Sequence, residues 1–345
     1  MKRSHRWMAA AAAAGFVFAA AQPAEAGTTL TMSSWLPPSH ELTKYFLLGW
    51  AKKAEEVTGG DVKFQMLPKA PVHAPGTLDG VHDDLMDMSF TTTSYTPGRF
   101  VLSGMAELPG GGPTATINSL AYSKIYWSEF RKAHEWKGVH VLGVFTHGPG
   151  QLFNDKRPVT KAADLKGLKI RTGGGVAAEM GKALGMTLLF KPAPAAYQLL
   201  KEGVADGVTF PLEAIHSFHL QHLIRYATLF HGGFYYSAFG FFMNQDKWNA
   251  LPQRDKDALD KISRAYVARL AGHVWDRFDK IGLADLKHAG AHITYASPAF
   301  EREVDEVSKP IVADWIKKAN AKGVDGAKAL ADFHAEVRRL EKMKK

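Results

Sequence analysis

The sequence predicts a two-domain α/β protein on three observations. Its 345 residues exceed what one core usually fills, short apolar strands alternate with helical stripes, and one helical stripe late in the chain is unusually long. With 46% hydrophobic and 22% charged residues the chain can bury a real core, which argues against disorder. It has no Cys, so thiol nucleophiles, Cys-ligated zinc, iron–sulfur clusters and disulfide scaffolds are excluded.

Residues 1–26 read as a signal peptide. Lys2, Arg3 and Arg6 precede an apolar run from Met8 to Ala21 that is too short to span a membrane, and Ala24-Glu25-Ala26 is a small-x-small cleavage site. Cleavage after Ala26 leaves an exported chain from Gly27, and losing three basic residues and Glu25 lowers the formal charge from +9 to +7. Such a field suits anionic small ligands, acidic surfaces or plain solubility, and charge alone does not choose among them. The basic residues cluster only at Arg338, Arg339, Lys342, Lys344 and Lys345, which read as the solvated face of a last helix rather than a nucleic-acid site.

Along the mature chain, Thr29 to Trp35 reads as a first strand stopped by Pro37-Pro38. Glu41 to Val57 carries a helical stripe ended by Gly59-Gly60, Val62 to Leu67 alternates as a strand, Leu78 to Leu85 is a helix and Met88 to Thr93 a strand. This βαβαβ opening predicts a parallel sheet, whose ligands bind beyond the carboxyl ends of the strands. After an irregular stretch from Tyr95 to Thr114 come a helix near Ser119 to His134 and a buried strand, Val139 to Phe145. The first domain crossing falls at His147-Gly148-Pro149-Gly150. The pattern then restarts: strand Leu168 to Arg171, helix Val176 to Leu184, strand Thr187 to Phe190, helix Ala195 to Lys201, and a strand end at Val208 to Pro211. Between Pro252 and Gly290, Leu259, Ile262, Tyr266, Leu270, Val274, Phe278, Ile281 and Leu286 form a helical stripe long enough to span more than one domain. The expected division is 27–146 plus about 238–285, then 147–237 plus about 286–320, then a helical tail over 321–345.

Arg171 closes a strand, and Gly173-Gly174-Gly175 opens a helix whose first N–H groups attract negative charge. Guanidinium plus free amides makes a site for carboxylate or phosphate; an Arg paired to a surface carboxylate fits the same spacing. Gly173-x-Gly175-x-x-Ala178 resembles a dinucleotide fingerprint but lacks the later acidic residue, and Gly181-Lys182 is followed by Ala183 rather than Ser or Thr. His216, His219 and His222 drift around a helix instead of sharing a face, so they read as surface or capping histidines. No HExxH, nucleophile elbow or triad gives positive support for an enzyme. Phe234-Tyr235-Tyr236 with Phe239, Phe241 and Phe242 reads as a core strand with some members at strand ends.

In order and spacing, Trp35-Leu36-Pro37-Pro38, Lys156-Arg157-Pro158-Val159, Asp164-Leu165-Lys166-Gly167-Leu168-Lys169-Ile170-Arg171, Glu202-Gly203-Val204-Ala205-Asp206-Gly207 and Met243-Asn244, followed by the long stripe, resemble the DctP-type substrate-binding proteins of tripartite ATP-independent periplasmic (TRAP) transporters. The resemblance covers nearly all of the mature chain. It implies a two-domain periplasmic binding protein fold with a long helix spanning both domains, residence in the periplasm, no cofactor, and delivery of an organic acid to a TRAP membrane permease. It also implies that Arg171 binds the substrate carboxylate. Two departures from the family pattern stand out: Gly150 where many members have a second Arg, and Phe210 before Pro211 where many have an Asn. Together they predict an apolar, aromatic monocarboxylate as ligand, walled by Phe210, Trp35, Tyr95, Gly150 and Gly173, with His147 and Tyr236 as hydrogen-bonding walls. The alternatives are an aliphatic oxo- or hydroxy-acid, an exported metal-binding protein built on the three histidines, or an exported enzyme. A monomer is expected in solution.

Overall fold

The structure is a computed structural model that describes residues 27–343. The expected signal peptide, residues 1–26, lies outside the described residues, as do Lys344 and Lys345. The chain opens with β1 (Thr28–Met32), a π-helical turn (Leu42–Leu47) leading into α1 (Leu48–Val57), β2 (Val62–Met66), α2 (Thr77–His82) and β3 (Met88–Thr92). Two 3₁₀ turns, Thr93–Tyr95 and Leu102–Glu107, fill the irregular stretch before α3 (Ala115–Ser128) and β4 (Val139–Thr146). Then come β5 (Gln151–Asn154), β6 (Lys169–Thr172), α4 (Gly175–Ala183), β7 (Thr187–Phe190), α5 (Ala196–Lys201), β8 (Gly207–Phe210), α6 (Glu213–Ser217) and β9 (Tyr226–Leu229). The last part holds β10 (Ala238–Asn244), α7 (Gln245–Ala250), α8 (Gln253–Asp260), α9 (Ala265–His288), β11 (His292–Tyr295), α10 (Pro298–Ala321) and α11 (Gly326–Met343).

Two sheets organise these elements. The first runs β2-β1-β3-β10-β4, with β1 parallel to β2 and β3 and with β10 antiparallel to both of its neighbours. The second runs β11-β9-β5-β8-β6-β7, with β6 parallel to β7 and β8 and with β5 antiparallel to β8 and β9. Each sheet has a core of its own, and a third, with Val144 and Phe242 of the first sheet and Leu152 and Ile170 of the second, is common to both. Phe46, Trp50, Phe90, Phe145 and Phe241 pack edge-on under the first, and Phe153, Val208, Ile215 and Leu220 lie under the second. The chain passes between the sheets at 147–150, at 230–237 and along α9, which packs on α3 and β4 and also on α6.

The long stripe is not one helix. It breaks after α8, where Ile262 O accepts the Trp50 indole N–H at 2.9 Å and Arg264 takes a φ of 55° while its N–H donates to Leu142 O at 2.6 Å. Leu259 and Ile262 stay buried across the break, so the apolar phase survives without the helix. The remaining helix, α9, has 24 residues, about 36 Å of rod. A second 24-residue helix, α10, starts on Ser297, whose hydroxyl accepts the Phe300 N–H at 3.2 Å, and continues through Pro310. It lies against α4, and its Trp315 donates to Val101 O at 2.9 Å. The tail helix α11 buries Phe333 and Val337 against α3 while Arg338, Arg339 and Lys342 face solvent.

α9 can graze the second unit only because residue 282 is glycine. A Cβ there would stand 1.9 Å from Leu212 O, a backbone atom that cannot swing away. We expect Gly282→Ala to lower unfolding stability by about 1–3 kcal/mol or more, read from chemical denaturation. An unchanged midpoint would show that the helix slides freely.

Candidate functional site

The carboxyl ends of the parallel strands of both sheets meet at one place, as the sheet rule requires. Trp35 follows β1, Tyr95 follows β3, Arg171 is the penultimate residue of β6 and Phe210 ends β8. These four, with His147, Gly173, Thr209, Tyr235, Ser237 and Phe239, enclose a cavity of about 60 Å³ between the two sheets.

Arg171 governs its chemistry. The side chain is only 2% exposed, its Nε donates to Lys191 O at 2.8 Å, and its Cζ sits 4.3 Å from the centre of the Phe210 ring. It also hydrogen-bonds Tyr95. Among the described residues no carboxylate forms an ion pair with it. Burial lowers its pKa from the ordinary value while Tyr95 and Tyr235 support the charge. An Arg that deep without an acid is uncompensated, and that is the arrangement of an anion receptor.

Tyr95 Oη accepts the Ala193 N–H at 2.7 Å and pairs with Arg171. Both partners donate, so the phenol proton remains for an acceptor in the cavity. His147 is 4% exposed, and its Nδ1 lies 2.5 Å from Gly148 O, so Nδ1 carries the proton. Burial depresses its pKa to about 4. The neutral ring therefore offers Nε2 as an acceptor, suited to a hydroxyl and not to a carboxylate.

Six of the residues singled out from sequence line the cavity: Trp35, Tyr95, His147, Arg171, Gly173 and Phe210. Gly150 and Tyr236 do not. A Cβ on Gly150 would come within 2.2 Å of Tyr235 Cε1, so the glycine is the seat of the Tyr235 ring, and Tyr235 occupies the wall instead. Tyr236 turns away, its hydroxyl 2.7 Å from Gly112 O and 2.6 Å from Gly232 O. The aromatic run flagged the right place, but alternation alone did not say which tyrosine faces in.

The helix start after the glycines is also corrected. The Val176 N–H donates not to an open anion site but to Glu107 Oε2 at 3.1 Å. Glu107 Oε1 accepts the Thr93 hydroxyl at 3.0 Å and the Ala238 N–H at 3.1 Å, so this one carboxyl ties the first sheet's side of the cleft to the head of α4. It is fully buried, and desolvation outweighs those bonds, raising its pKa to about 7. Sequence reading missed it. The three histidines lie apart from the cavity: His216 Nδ1 is 2.7 Å from Asp285 Oδ2, and His219 follows the end of α6 with a φ of 55°. Among the described residues no three His, Cys, Asp or Glu side chains gather as a metal site.

Comparison with known proteins supplies the wider frame. The family model described as bacterial extracellular solute-binding protein, family 7 (DctP) matches residues 32–318. The crystal structure of a TRAP periplasmic solute-binding protein from Bordetella bronchiseptica, with bound (R)- and (S)-mandelate, superposes with a TM-score of 0.89. It is 42% identical, over 91% of this chain and 99% of that one. A marine metagenome TRAP solute-binding protein specific for aromatic acid ligands, crystallised with 3-hydroxybenzoate, gives a TM-score of 0.84 at 30% identity over 91% and 98%. One from Rhodoferax ferrireducens T118, with copurified benzoate, gives 0.86 at 25% identity over 92% and 100%.

Proposed function

This chain belongs to the DctP family of TRAP solute-binding proteins, and from that premise we propose that it captures an aromatic monocarboxylate between its two units and hands it to a TRAP permease. Membership makes it a binding protein and not an enzyme. The observation that carries the aromatic-acid reading is Arg171, buried without an acid partner and stacked on Phe210. In this reading the carboxylate takes the guanidinium edge left free by Lys191 O, with the Tyr95 proton beside it. The ring lies among Trp35, Phe210 and Phe239, and the His147 acceptor receives a hydroxyl on the acid. A single cation suits one carboxylate, and Gly150, filled by Tyr235, supplies no second. The mandelate, 3-hydroxybenzoate and benzoate complexes of the relatives support the same class. Cleavage after Ala26, release into the periplasm and action as a monomer complete the proposal.

A thermal-shift screen of residues 27–345 tests it. Benzoate, 3-hydroxybenzoate and mandelate are expected to stabilise, and at 1,000 times Kd the gain is about 4 kcal/mol. Dicarboxylates and sugar acids are expected to leave the melting temperature unmoved. Stabilisation by aliphatic hydroxy-acids alone would replace the aromatic ligand, and a shift with zinc alone would remove the transport reading.

A further inference from the structure

A second cavity, about 50 Å³, lies behind the first. Trp35, His147, Ala193, Phe210 and Phe239 line both, so these five side chains form a partition with space on either side. Arg171 stacks on Phe210, and beyond Phe210 the Phe218 ring lies parallel to it at 5.8 Å and 21°. The far walls are Leu36, Leu42, Ala214, Phe218 and Trp275, and the exposed lining is almost wholly carbon.

Three polar side chains, His40, His147 and Glu213, reach this chamber, and each already has a protein partner: His40 Nδ1 accepts the Leu42 N–H at 3.3 Å and His147 Nδ1 is tied to Gly148 O. Glu213 accepts the Ser217 hydroxyl at 2.5 Å and the Trp275 indole, and His40 Nε2 stands 3.7 Å from its carboxyl. Burial keeps His40 neutral and raises the pKa of Glu213, the one acidic side chain on this wall, to about 7. The chamber therefore has room for carbon, no cation to meet a second carboxylate, and a carboxyl group of its own beside that space.

We propose that the second chamber receives an apolar substituent on the ring of the bound acid, at the end opposite the carboxylate, and so selects para-alkyl aryl monocarboxylates over their para-carboxyl counterparts. This rests on the aromatic-acid reading above. It makes Phe218, Leu36, Ala214 and Trp275 specificity-determining residues that never touch the carboxylate, and it places the acid and apolar ends of the ligand on opposite sides of Phe210.

The test is calorimetric titration of the exported wild-type protein with mandelate, 4-methylmandelate and 4-carboxymandelate. One buried methyl group is expected to tighten binding about 4-fold relative to mandelate. The carboxyl compound is expected to bind more than about 100-fold weaker, as a buried unpaired charge should. Ala214→Leu, which fills the chamber, is expected to reverse the order of the first two ligands, and the wild-type series decides the matter even where that variant does not fold. If mandelate binds while 4-methylmandelate binds equally or more weakly, the chamber proposal is overturned and the aromatic-acid reading stands. If none of the three binds, both fall.

Discussion

Arg171→Met is expected to cost at least about 100-fold in affinity for mandelate or benzoate, since in the proposed complex it removes the cation that meets the carboxylate at a buried position. The same variant is expected to leave the ligand-free protein as stable as the wild type or more so, by about 1 kcal/mol or more. The native Arg is buried without a counter-charge, and an apolar side chain of similar length removes that desolvation cost. The two halves work against each other, which is what separates a receptor from a structural residue. Calorimetry on one side and denaturant unfolding on the other would measure them. A variant that loses stability along with binding would mean that Arg171 holds the fold together.

The second large effect is electrostatic and sits at Glu107. Its folded pKa of about 7 lies above the ordinary 4.5. The stability tied to its protonated form is thus complete below pH 4.5 and is lost as pH rises through about 7. The gap corresponds to about 3 kcal/mol. Gln is the neutral shape of this acid, so Glu107→Gln is expected to gain about 3 kcal/mol relative to wild type between pH 4 and pH 8, over and above any constant penalty from its amide. Two buried imidazoles, His40 and His147, and the half-buried His140 tilt the other way. His40, His140 and His147 have folded values of about 3, 4 and 4, below the ordinary 6.5, so their stabilisation is lost as pH falls from 6.5. Because they are common to both proteins, the difference between variant and wild type isolates Glu107. A difference that does not change with pH would show that the carboxyl never ionises in the fold.

What the sequence made legible follows from how far each signal reaches along the chain. Arg171, Phe210, Trp35 and Tyr95 stand at or just past strand ends, where apolar alternation gives way to proline, glycine or polar residues, so position and role could be read together. The choice between Tyr235 and Tyr236 could not, because both stand in irregular backbone ahead of β10, where strand alternation does not apply, and only contact with Gly150 settles it. Glu107 carries no local signal at all: its partners Val176 and Ala238 lie 69 and 131 residues away. The break before α9 escaped because Trp50 and Leu142, both distant in sequence, take the backbone groups that the helix would have used. α10 was obscured by Pro310 in its middle, although Phe300, Val304, Trp315 and Ala319 keep one buried face.

The place of β10 sets the order in which the molecule can be built. It is the antiparallel partner of both β3 and β4, and among the described residues β4 has no other neighbour in its sheet. Until residue 244 has left the ribosome and the export channel, the first sheet consists of a three-strand fragment and a lone strand, each with a bare hydrogen-bonding edge. The two units therefore cannot mature one after the other, and the non-local pairing that closes the sheet comes late. A chain stopped at residue 237 would be a sticky intermediate rather than a small folded domain, and the full chain's solubility depends on how quickly its own later segment reaches those edges.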